Sequence, residues 1–427
     1  MASSTRKPIL ISGAGLASLL LARSLLRSKI PFHIFERDKS ISFRGQGYRL
    51  RLSNEGLDAI EEVLGPGPEG FQKFWDKCGK TAGAGFAALD AVSGEKLPEA
   101  TGPPPPKSAE KEVPNDSETK AFKPSKESLS SRGGQTVGIA RGEMRSLFME
   151  GCESYVSWAH QVVGYEEVTS TDGSVTGVRA LFADGSKSVD GDMLVGGEGI
   201  YSKVAKQVSG GILKTYDTGA RGIHGEAPTS AFKDLGEGVW RMVDDTNPDG
   251  RVFAITNVRP GDMDDPNVHF GWTMGAVPGV ITPPNNDFSI IGKQAADIAK
   301  SLTKGWAPRV RQLFEQMVES EAAFWKITCS TPTGVPEWPN NPRVTGIGDA
   351  VHSMTPAGGI GANTAVQDSA LLGRLLAEAG GYGDDVTAKY EKGMRVYASE
   401  AVKSSYGMAT GGFGVKIDVN STPTVGG

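Results

Sequence analysis

The feature that most restricts the fold is a strand, a glycine-rich turn and a helix near the start of the chain. Residues 8–12 form a short apolar run, and residues 15–28 carry leucines at the spacing of a helix with one buried face. A second apolar run follows at 32–35. Two buried strands joined by a helix within about thirty residues are typical of a βαβ unit, which requires a parallel sheet. The sequence therefore predicts an α/β fold.

The glycine turn inside this unit predicts a nucleotide site. Gly13 and Gly15 let the backbone turn tightly and approach a pyrophosphate, which then sits at the positive end of the following helix. Ser18 stands where such motifs usually carry a third glycine. Glu36 ends the second strand, where a carboxylate can accept hydrogen bonds from ribose hydroxyls. This pattern predicts a dinucleotide site without distinguishing NAD from FAD, and a purely structural turn is the alternative.

A second glycine-rich segment, within residues 343–363, favours FAD. A short strand ends at Asp349, whose carboxylate can bind the hydroxyls of a ribityl chain. Pro356 and a glycine cluster from Gly358 to Gly361 then lead into a predicted helix. Free backbone N–H groups and the dipole at that helix end suit the negative charge of a reduced flavin. A glycine-rich turn without a ligand is the alternative.

Composition excludes several classes of function. The chain has 427 residues, enough for two domains, and 45 Lys+Arg against 50 Asp+Glu give a net charge of -5, which argues against a nucleic-acid partner. Three widely spaced cysteines predict neither a disulfide framework nor a zinc site, and five histidines without ligand spacing predict no metal. Arg23 and two glycines interrupt the apolar run at 6–26, which argues against a signal peptide, and we expect no stable membrane insertion. The cysteine pattern fits a reducing compartment, so we expect a cytoplasmic protein.

Three further segments have their own patterns. Residues 101–135 are rich in Pro, Ser, Lys and Glu, which predicts a disordered insertion, with a lid over the site as the alternative. Two Asp-Gly turns within residues 160–195 predict a three-stranded meander. The Gly-, Ser- and Thr-rich residues after Gly407 predict a flexible tail.

Three motifs together resemble the FAD-dependent aromatic hydroxylases, the family of para-hydroxybenzoate and salicylate hydroxylases and of many fungal secondary-metabolite monooxygenases. They read GAGLASLLLARSL followed by FHIFERD, then DMLVGGEGIYSKV, then GDAVHSMTPAGGIGANTAVQD. The motifs cover about a fifth of the chain, and their order and separation are specific in combination. The resemblance implies a monooxygenase in which NAD(P)H reduces FAD, and the reduced flavin forms a C4a-hydroperoxide with O2 that transfers oxygen to an aromatic ring or alkene.

The resemblance also implies a domain organisation. The fold would combine a Rossmann-like FAD-binding domain, built on a parallel sheet, with a β-sheet-rich substrate domain, as in para-hydroxybenzoate hydroxylase. The predicted segments are 1–75, 136–210 and 342–405 for the FAD-binding domain, 76–100 and 211–341 for the substrate domain, 101–135 for the insertion and 406–427 for the tail.

The cofactor residues carry over by motif position. The resemblance places the ADP half of FAD on Gly13, Gly15, Glu36 and Arg37, and the ribityl–pyrophosphate region on Asp349. Arg141 matches a position whose long polar side chain reaches the flavin, with a surface arginine as the alternative. Pro356, Gly358, Gly361, Ala362 and Asn363 would border the isoalloxazine. The middle motif departs from the family pattern because Glu198 stands in place of an aspartate, which makes NADPH binding less secure than FAD binding.

The substrate pocket is predicted within residues 211–335. His224 is a candidate for deprotonating a phenol or protonating a leaving peroxide, and Arg221 for holding a phenolate or polarising a carbonyl. A structural histidine and a surface arginine are the alternatives. Three tryptophans are candidate walls of a pocket for an aromatic or alkaloid-like molecule: Trp240, Trp272 and Trp338.

Other functions stay open on the sequence alone. The same scaffold supports flavin-dependent reductases, oxidases and halogenases, although the WxWxIP motif typical of these halogenases is missing. A nucleotide-binding protein without catalysis is a third reading. The sequence does not distinguish a monomer from a homodimer, NADH from NADPH, or hydroxylation from epoxidation or Baeyer–Villiger oxidation.

Overall fold

A computed structural model describes residues 6–41, 49–82, 86–98 and 131–426. Apart from its last residues, 131–135, the predicted insertion at 101–135 therefore lies outside the described residues. In chain order, the strands are β1 (Ile9–Ser12), β2 (Phe32–Phe35), β3 (Arg49–Leu52), β4 (Gly79–Ala82), β5 (Phe86–Asp90), β6 (Gln135–Ala140), β7 (Val156–Ser157), β8 (Val162–Thr169), β9 (Val175–Phe182), β10 (Met193–Gly196), β11 (Tyr216–Pro228), β12 (Gly238–Asp244), β13 (Val252–Val258), β14 (His269–Ala276), β15 (Ala323–Cys329) and β16 (Val344–Gly346).

The α-helices connect and cover these strands. Within the described ranges, no helix combines the length and the apolar character needed to cross a membrane. In chain order, the helices are α1 (Leu16–Arg27), α2 (Asn54–Leu64), α3 (Phe71–Lys77), α4 (Arg141–Met149), α5 (Lys203–Val208), α6 (Lys293–Leu302), α7 (Pro308–Glu315), α8 (Asp349–His352), α9 (Gly361–Ala379) and α10 (Val386–Phe413).

A parallel sheet forms the first layer, as the βαβ pattern predicts. Its strand order is β16-β10-β1-β2-β7, and every neighbouring pair is parallel. The strands β1 and β10 are buried along their whole length, which explains why they read as uninterrupted apolar runs. Helices α1, α9 and α10 pack against the sheet in one large hydrophobic cluster. Because parallel strands end together, the loops after β1, β2, β10 and β16 meet at one edge.

A mostly antiparallel sheet forms the second layer, in the order β15-β11-β14-β13-β12-β5. One face is covered by α6 and α7 over a separate hydrophobic cluster that includes Trp272, Phe314 and Trp306. The other face packs against the end of α10, where Phe413 stacks on Phe253 with ring centroids 4.6 Å apart. The two layers thus have separate hydrophobic clusters. The domain boundaries given above stay a prediction.

The meander predicted within residues 160–195 is wrong in its third strand. The strands β8 and β9 form an antiparallel hairpin across the first Asp-Gly turn. After the second turn the chain makes two isolated bridges to β9 and then enters the parallel sheet as β10. The apolar residues 193–196 are fully buried between two parallel neighbours, which is a better environment for them than a hairpin edge.

The C-terminal segment also differs from the prediction of a flexible tail. Helix α10 continues to Phe413, and Val415 is completely buried. Farther on, the N–H of Val425 donates to the carbonyl of Thr215 over 2.8 Å. Composition does not predict this packing, because the Gly-rich segment docks on the second sheet through only two large apolar side chains, Phe413 and Val415.

Candidate functional site

The first glycine turn lies at the edge where the parallel strands end. Gly13 has a φ of +87°, and a Cβ atom there would lie 2.5 Å from the carbonyl oxygen of Gly197. Gly15 is different: its φ is -77°, and a Cβ atom would meet its nearest neighbour, the same oxygen, at 3.9 Å. Gly13 is therefore required by the fold, whereas the space in front of Gly15 is open. Helix α1 begins behind this space with no capping side chain.

Two buried charges hold this turn in place. The Oε2 atom of Glu36 accepts the N–H of Ala14 over 2.6 Å, and its Oε1 atom accepts the N–H of Asp38 over 2.9 Å. Arg145 donates from Nε to the carbonyl of Ala14 over 2.9 Å and lies 3.8 Å from Glu36. Glu36 is only 7% exposed and Arg145 only 4%. A carboxylate has lone pairs beyond these two bonds, so Glu36 can still accept from a ribose.

The middle motif lies beside the first turn. The N–H of Gly197 donates to the carbonyl of Ser12 over 2.8 Å, and a Cβ atom at Gly197 would overlap the hydroxyl of Ser18. Glu198 accepts the hydroxyl of Ser202 over 2.6 Å at the start of α5. The longer side chain of Glu198 thus reaches the next helix and stabilises its start.

Arg37 marks the outer end of this region. It is exposed, and its guanidinium lies 5.8 Å from the centre of the Tyr201 ring. The contact links the end of β2 to the loop after β10, next to Glu36. This position is compatible with the predicted role of Arg37 beside the ADP half of FAD, which stays a prediction.

The second glycine turn is open to solvent. Gly358 and Gly359 have φ values of +83° and +62°, a region that favours glycine, and both are exposed, as is Pro356. Helix α9 follows with Ile360 at its N-cap, and this side chain cannot accept a hydrogen bond. The first N–H groups of α9 therefore depend on other partners. Gly361 and Ala362 are half-buried at the first turn of this helix.

Asn363 anchors the second turn instead of facing solvent. Its Oδ1 atom accepts the N–H of Ser53 over 2.8 Å, and its Nδ2 donates to the carbonyls of Arg51 (2.9 Å) and Gly359 (3.2 Å). It is 2% exposed. Arg51 adds a bond from its guanidinium to the carbonyl of Gly358 over 3.1 Å. The structure therefore gives Asn363 a role in holding β3 against the turn.

Asp349 begins α8 in a concavity, called the cleft below, at the edge where the parallel strands end. The residue is exposed to water, yet the surrounding protein desolvates its carboxylate enough to raise its pKa, against the opposing charges of His352 and Arg141. A group that is both accessible and desolvated lies in a concavity. Arg141 begins α4, directly after β6, and its charge acts on Asp349.

His224, on β11 of the second sheet, lies within range of the same Arg141 charge. Burial, with a further contribution from the charge of Arg141, lowers the pKa of His224 to about 3. Its Nδ1 atom hydrogen-bonds the hydroxyl of Thr273 over 3.1 Å, and its ring stacks on Trp325 with centroids 4.9 Å apart. Trp325 fits here because its indole lies across Gly222, where the Cβ atom of any larger residue would overlap it. Arg141 thus acts electrostatically on both the cofactor side and the sheet side.

Arg221 does not join this cleft. Residues three apart on a strand point to opposite faces of the sheet, so Arg221 lies on the face away from His224. There it donates to Asp217 over 2.5 and 3.1 Å and lies 5.0 Å from the centre of the Phe288 ring. A guanidinium that is already paired on the far face is badly placed to bind a substrate, so the structure does not support a catalytic role for it.

The three tryptophans expected as pocket walls lie elsewhere. Trp272 and Trp240 are buried in the cluster under α6 and α7, and Trp338 packs in the cluster of the parallel sheet. A different tryptophan, Trp325, lies beside His224. A strand tryptophan can face either side of a sheet, and the register that places Trp325 beside Gly222 is not readable from composition.

Sequence reasoning missed Arg145 and Arg51 as well. Arg145 follows Arg141 by one helical turn, so the two share one face of α4, and this spacing was an available signal. Arg51 gave no signal, since its contact with Gly358 joins segments that are distant in sequence.

The site has the features that FAD requires. The open space at Gly15 lies at a helix N-terminus with free N–H groups, which suits a pyrophosphate. Asp349 offers an accessible carboxylate in the cleft, and the exposed second turn leads into α9. Residues from both ends of the chain therefore border one cleft, with the ADP half expected at Gly15 and the flavin half expected between Asp349 and His224.

The comparison with protein families agrees with this geometry. The family described as "FAD binding domain" matches residues 109–405. The chain belongs to this family. FAD is accordingly its cofactor, and the predicted resemblance to FAD-dependent aromatic hydroxylases is confirmed at the level of family and fold.

Individual relatives of this FAD-binding protein support the same assignment. A dual O-methyltransferase/FAD-dependent monooxygenase of Cercospora beticola is 27% identical over 430 residues, which cover 94% of this chain and 46% of the relative. The chain thus spans less than half of the length of this relative. Among solved structures, Klebsiella pneumoniae HpxO complexed with FAD and uric acid matches with a TM-score of 0.66 and 18% identity, covering 94% of this chain and 88% of HpxO. A salicylate hydroxylase substrate complex matches with a TM-score of 0.66 and 17% identity, covering 96% of this chain and 89% of that protein.

Proposed function

We propose that this protein is an FAD-dependent monooxygenase that uses NAD(P)H and O2 to insert one oxygen atom into an aromatic or alkene-containing small molecule. The observation that carries the proposal is the stack of His224 on Trp325, with ring centroids 4.9 Å apart on the second sheet, within range of the Arg141 charge that also acts on Asp349. A substrate on the sheet would therefore lie against the cofactor. The name of the Cercospora relative and the uric acid and salicylate hydroxylase complexes support this reading.

The bound cofactor supplies the oxygen activation, and the chain's own residues orient the substrate and exclude water. Asp349 and the second glycine turn hold the flavin half, while α9 presents its N–H groups to negative charge on that half. The stacked rings of His224 and Trp325 offer a flat surface to an aromatic substrate. The end of α10 closes the same face of the sheet through the stack of Phe413 on Phe253.

We assign His224 a different role from the general base or acid expected from sequence. An imidazole whose pKa is about 3 stays neutral at physiological pH and is a weak proton acceptor. Its bond to Thr273 fixes the ring while leaving it stacked beside the cleft. His224 then acts as a neutral hydrogen-bonding residue that positions a substrate hydroxyl or carbonyl near the flavin.

The proposal includes a cellular setting. All three cysteines are buried and free, which supports a reducing compartment such as the cytoplasm. We propose a monomer or a homodimer there, with an aromatic or alkaloid-like small molecule as substrate.

Substrate-stimulated oxidation of NADPH or NADH tests the function. Purified protein is reconstituted with FAD and screened against phenols, quinolones and polycyclic aromatics, with O2 uptake and product mass as readouts. We expect one class to accelerate NAD(P)H oxidation and to gain a single oxygen atom. His224→Gln should lower coupling of NAD(P)H oxidation to product by about tenfold, since substrate orientation is lost, while FAD binding stays unchanged. Flavin reduction without any oxygenated product across the screen would contradict the monooxygenase and favour a reductase or oxidase.

A further inference from the structure

A completely buried carboxylate, Asp368, lies on α9 behind the cofactor cleft. It accepts three hydrogen bonds: from the N–H of Gly348 over 2.6 Å, from Nε2 of His352 over 2.7 Å and from the hydroxyl of Tyr397 over 2.6 Å. The donors come from the loop after β16, from α8 and from α10. One carboxylate therefore ties three separate segments together.

The bond to Gly348 fixes the backbone immediately before Asp349. Gly348 has a φ of +63° and a ψ of -141°, a conformation that favours glycine. A Cβ atom there would meet Ala17 of α1 at 3.4 Å and Ala365 of α9 at 3.5 Å. The turn is thus enclosed by both helices that begin at the glycine turns, and the peptide N–H it presents inward is held by Asp368. The orientation of Asp349 toward the cleft depends on this turn.

The same carboxylate determines the charge beside Asp349. Burial alone would lower the pKa of His352, but the charge and hydrogen bond of Asp368, together with the charge of Asp349, raise it. A protonated His352 would offset two neighbouring carboxylates. Tyr397, whose pKa is well above its ordinary value because of burial and Asp368, stays a neutral donor. Asp368 therefore affects both the charge beside Asp349 and the conformation of the backbone that leads to it.

We propose that Asp368 is a positioning residue for the cofactor, which, with His352 and Tyr397, holds the Gly348–Asp349 turn in the shape that binds the flavin half of FAD. The proposal rests on the proposed role of Asp349 in FAD binding. It assigns Asp368 no contact with FAD: its effect passes through the Gly348 peptide and His352. Its removal should therefore weaken the flavin half of the site and spare the ADP half at Gly15, which other residues hold.

Two variants test this in the full chain. Asp368→Asn removes the charge and part of the acceptor capacity, and Tyr397→Phe removes one donor. Apoprotein is titrated with FAD by quenching of flavin fluorescence, and with ADP by competition. We expect FAD to bind at least about tenfold more weakly to Asp368→Asn and about threefold more weakly to Tyr397→Phe, because bonds to a buried charge are among the strongest in proteins. The ADP affinity of both variants should stay within about twofold of wild type.

Glu391→Gln is the matched control. Glu391 is also a buried carboxylate, 1% exposed, and it accepts from Thr345 of β16 over 2.9 Å and from Asn340 over 3.2 Å. It supports the strand that leads into the turn but does not contact the turn itself. Glu391→Gln should lower the melting temperature of the apoprotein about as much as Asp368→Asn does, with FAD affinity within about twofold of wild type. Visible circular dichroism of the bound flavin should change in Asp368→Asn but not in Glu391→Gln.

The outcomes separate the positioning role from the function it rests on. If wild type binds FAD and Asp368→Asn binds it equally well, the positioning role is wrong. The same conclusion follows if Asp368→Asn and Glu391→Gln weaken FAD equally, or if ADP is weakened as much as FAD. Should Asp368→Asn fail to fold, unchanged FAD affinity in Tyr397→Phe overturns the proposal by itself. Asp349→Ala that keeps wild-type FAD affinity would instead overturn the role of Asp349.

Discussion

The two glycine turns, both proposed to bind FAD, are built differently. The first turn, at Gly13 and Gly15, is backed by the buried charges of Glu36 and Arg145, and its geometry is set before any ligand binds. The second, from Pro356 to Gly361, is exposed, and an amide, Asn363, holds it from behind. If both turns bind FAD as proposed, the difference predicts a preformed pyrophosphate site at the first turn and a second turn that gains packing when the flavin covers it.

The largest expected effect is at the first turn. Gly15→Val should weaken FAD binding by about a hundredfold, roughly 3 kcal/mol, because the valine side chain would fill the space proposed for the pyrophosphate. The backbone at Gly15 suits valine, and protein atoms leave the space open, so the melting temperature of the apoprotein should not change. Fluorescence titration and thermal melting measure the two quantities.

Gly305→Val serves as the control for this substitution. A Cβ atom at Gly305 also meets open space, but the residue lies in the connection between α6 and α7. It should leave both FAD affinity and the melting temperature unchanged. Retained FAD affinity in Gly15→Val would show that the first turn is only structural.

The next effect is at Asp349, between the turns. Asp349→Asn should weaken FAD about tenfold, since a charged acceptor for cofactor hydroxyls is lost. In the apoprotein at neutral pH, the same substitution should instead raise the melting temperature. Because desolvation raises the pKa of Asp349 in the fold, its contribution to stability is present below the unfolded pKa and is lost as pH rises through the folded one. Asp349→Asn should therefore remove part of the loss of melting temperature on going from pH 4 to pH 7; an unchanged pH profile would contradict this account.

The smallest effect on FAD is expected at the second turn. Asn363→Ala leaves the N–H of Ser53 and the carbonyl of Arg51 without their partner, which should lower the free energy of unfolding by about 2 kcal/mol. FAD should bind only about threefold more weakly, because bound flavin can pack the turn again. Gln367→Ala, whose amide donates to the helix carbonyl of Asn363, should change stability by less than about 0.5 kcal/mol in urea unfolding. If Asn363→Ala weakened FAD binding more than Gly15→Val does, the second turn would be the more important of the two for FAD, contrary to this comparison.

Local patterns explain what could be predicted from sequence. The strands β1, β2 and β16, the helices α1 and α9 and the turns between them each lie within one short segment, where apolar spacing and glycine placement are sufficient. The family resemblance used the same segments. Arg145 and Arg51 lie outside such patterns, because their contacts depend on how distant segments meet.

The second sheet could be predicted much less well. Which tryptophan lies beside His224 depends on strand register, and register is a tertiary property. The placement of Arg221 was accessible, since its three-residue separation from His224 already puts the two side chains on opposite faces of a strand. The packing of Phe413 on Phe253 was not, because a single aromatic residue at the end of α10 carries no periodic signal.

The strand β5 limits how this protein can be divided. It precedes the predicted insertion at 101–135, yet it pairs in parallel with β12 at the edge of the second sheet, from Val239 opposite Phe86 to Val243 opposite Asp90. A fragment cut to residues 211–341 would expose the backbone of β12 as a bare border, ready to pair with another chain. A chimaera between relatives must therefore exchange β5 together with residues 211–341. A chimaera that exchanges residues 211–341 alone should aggregate.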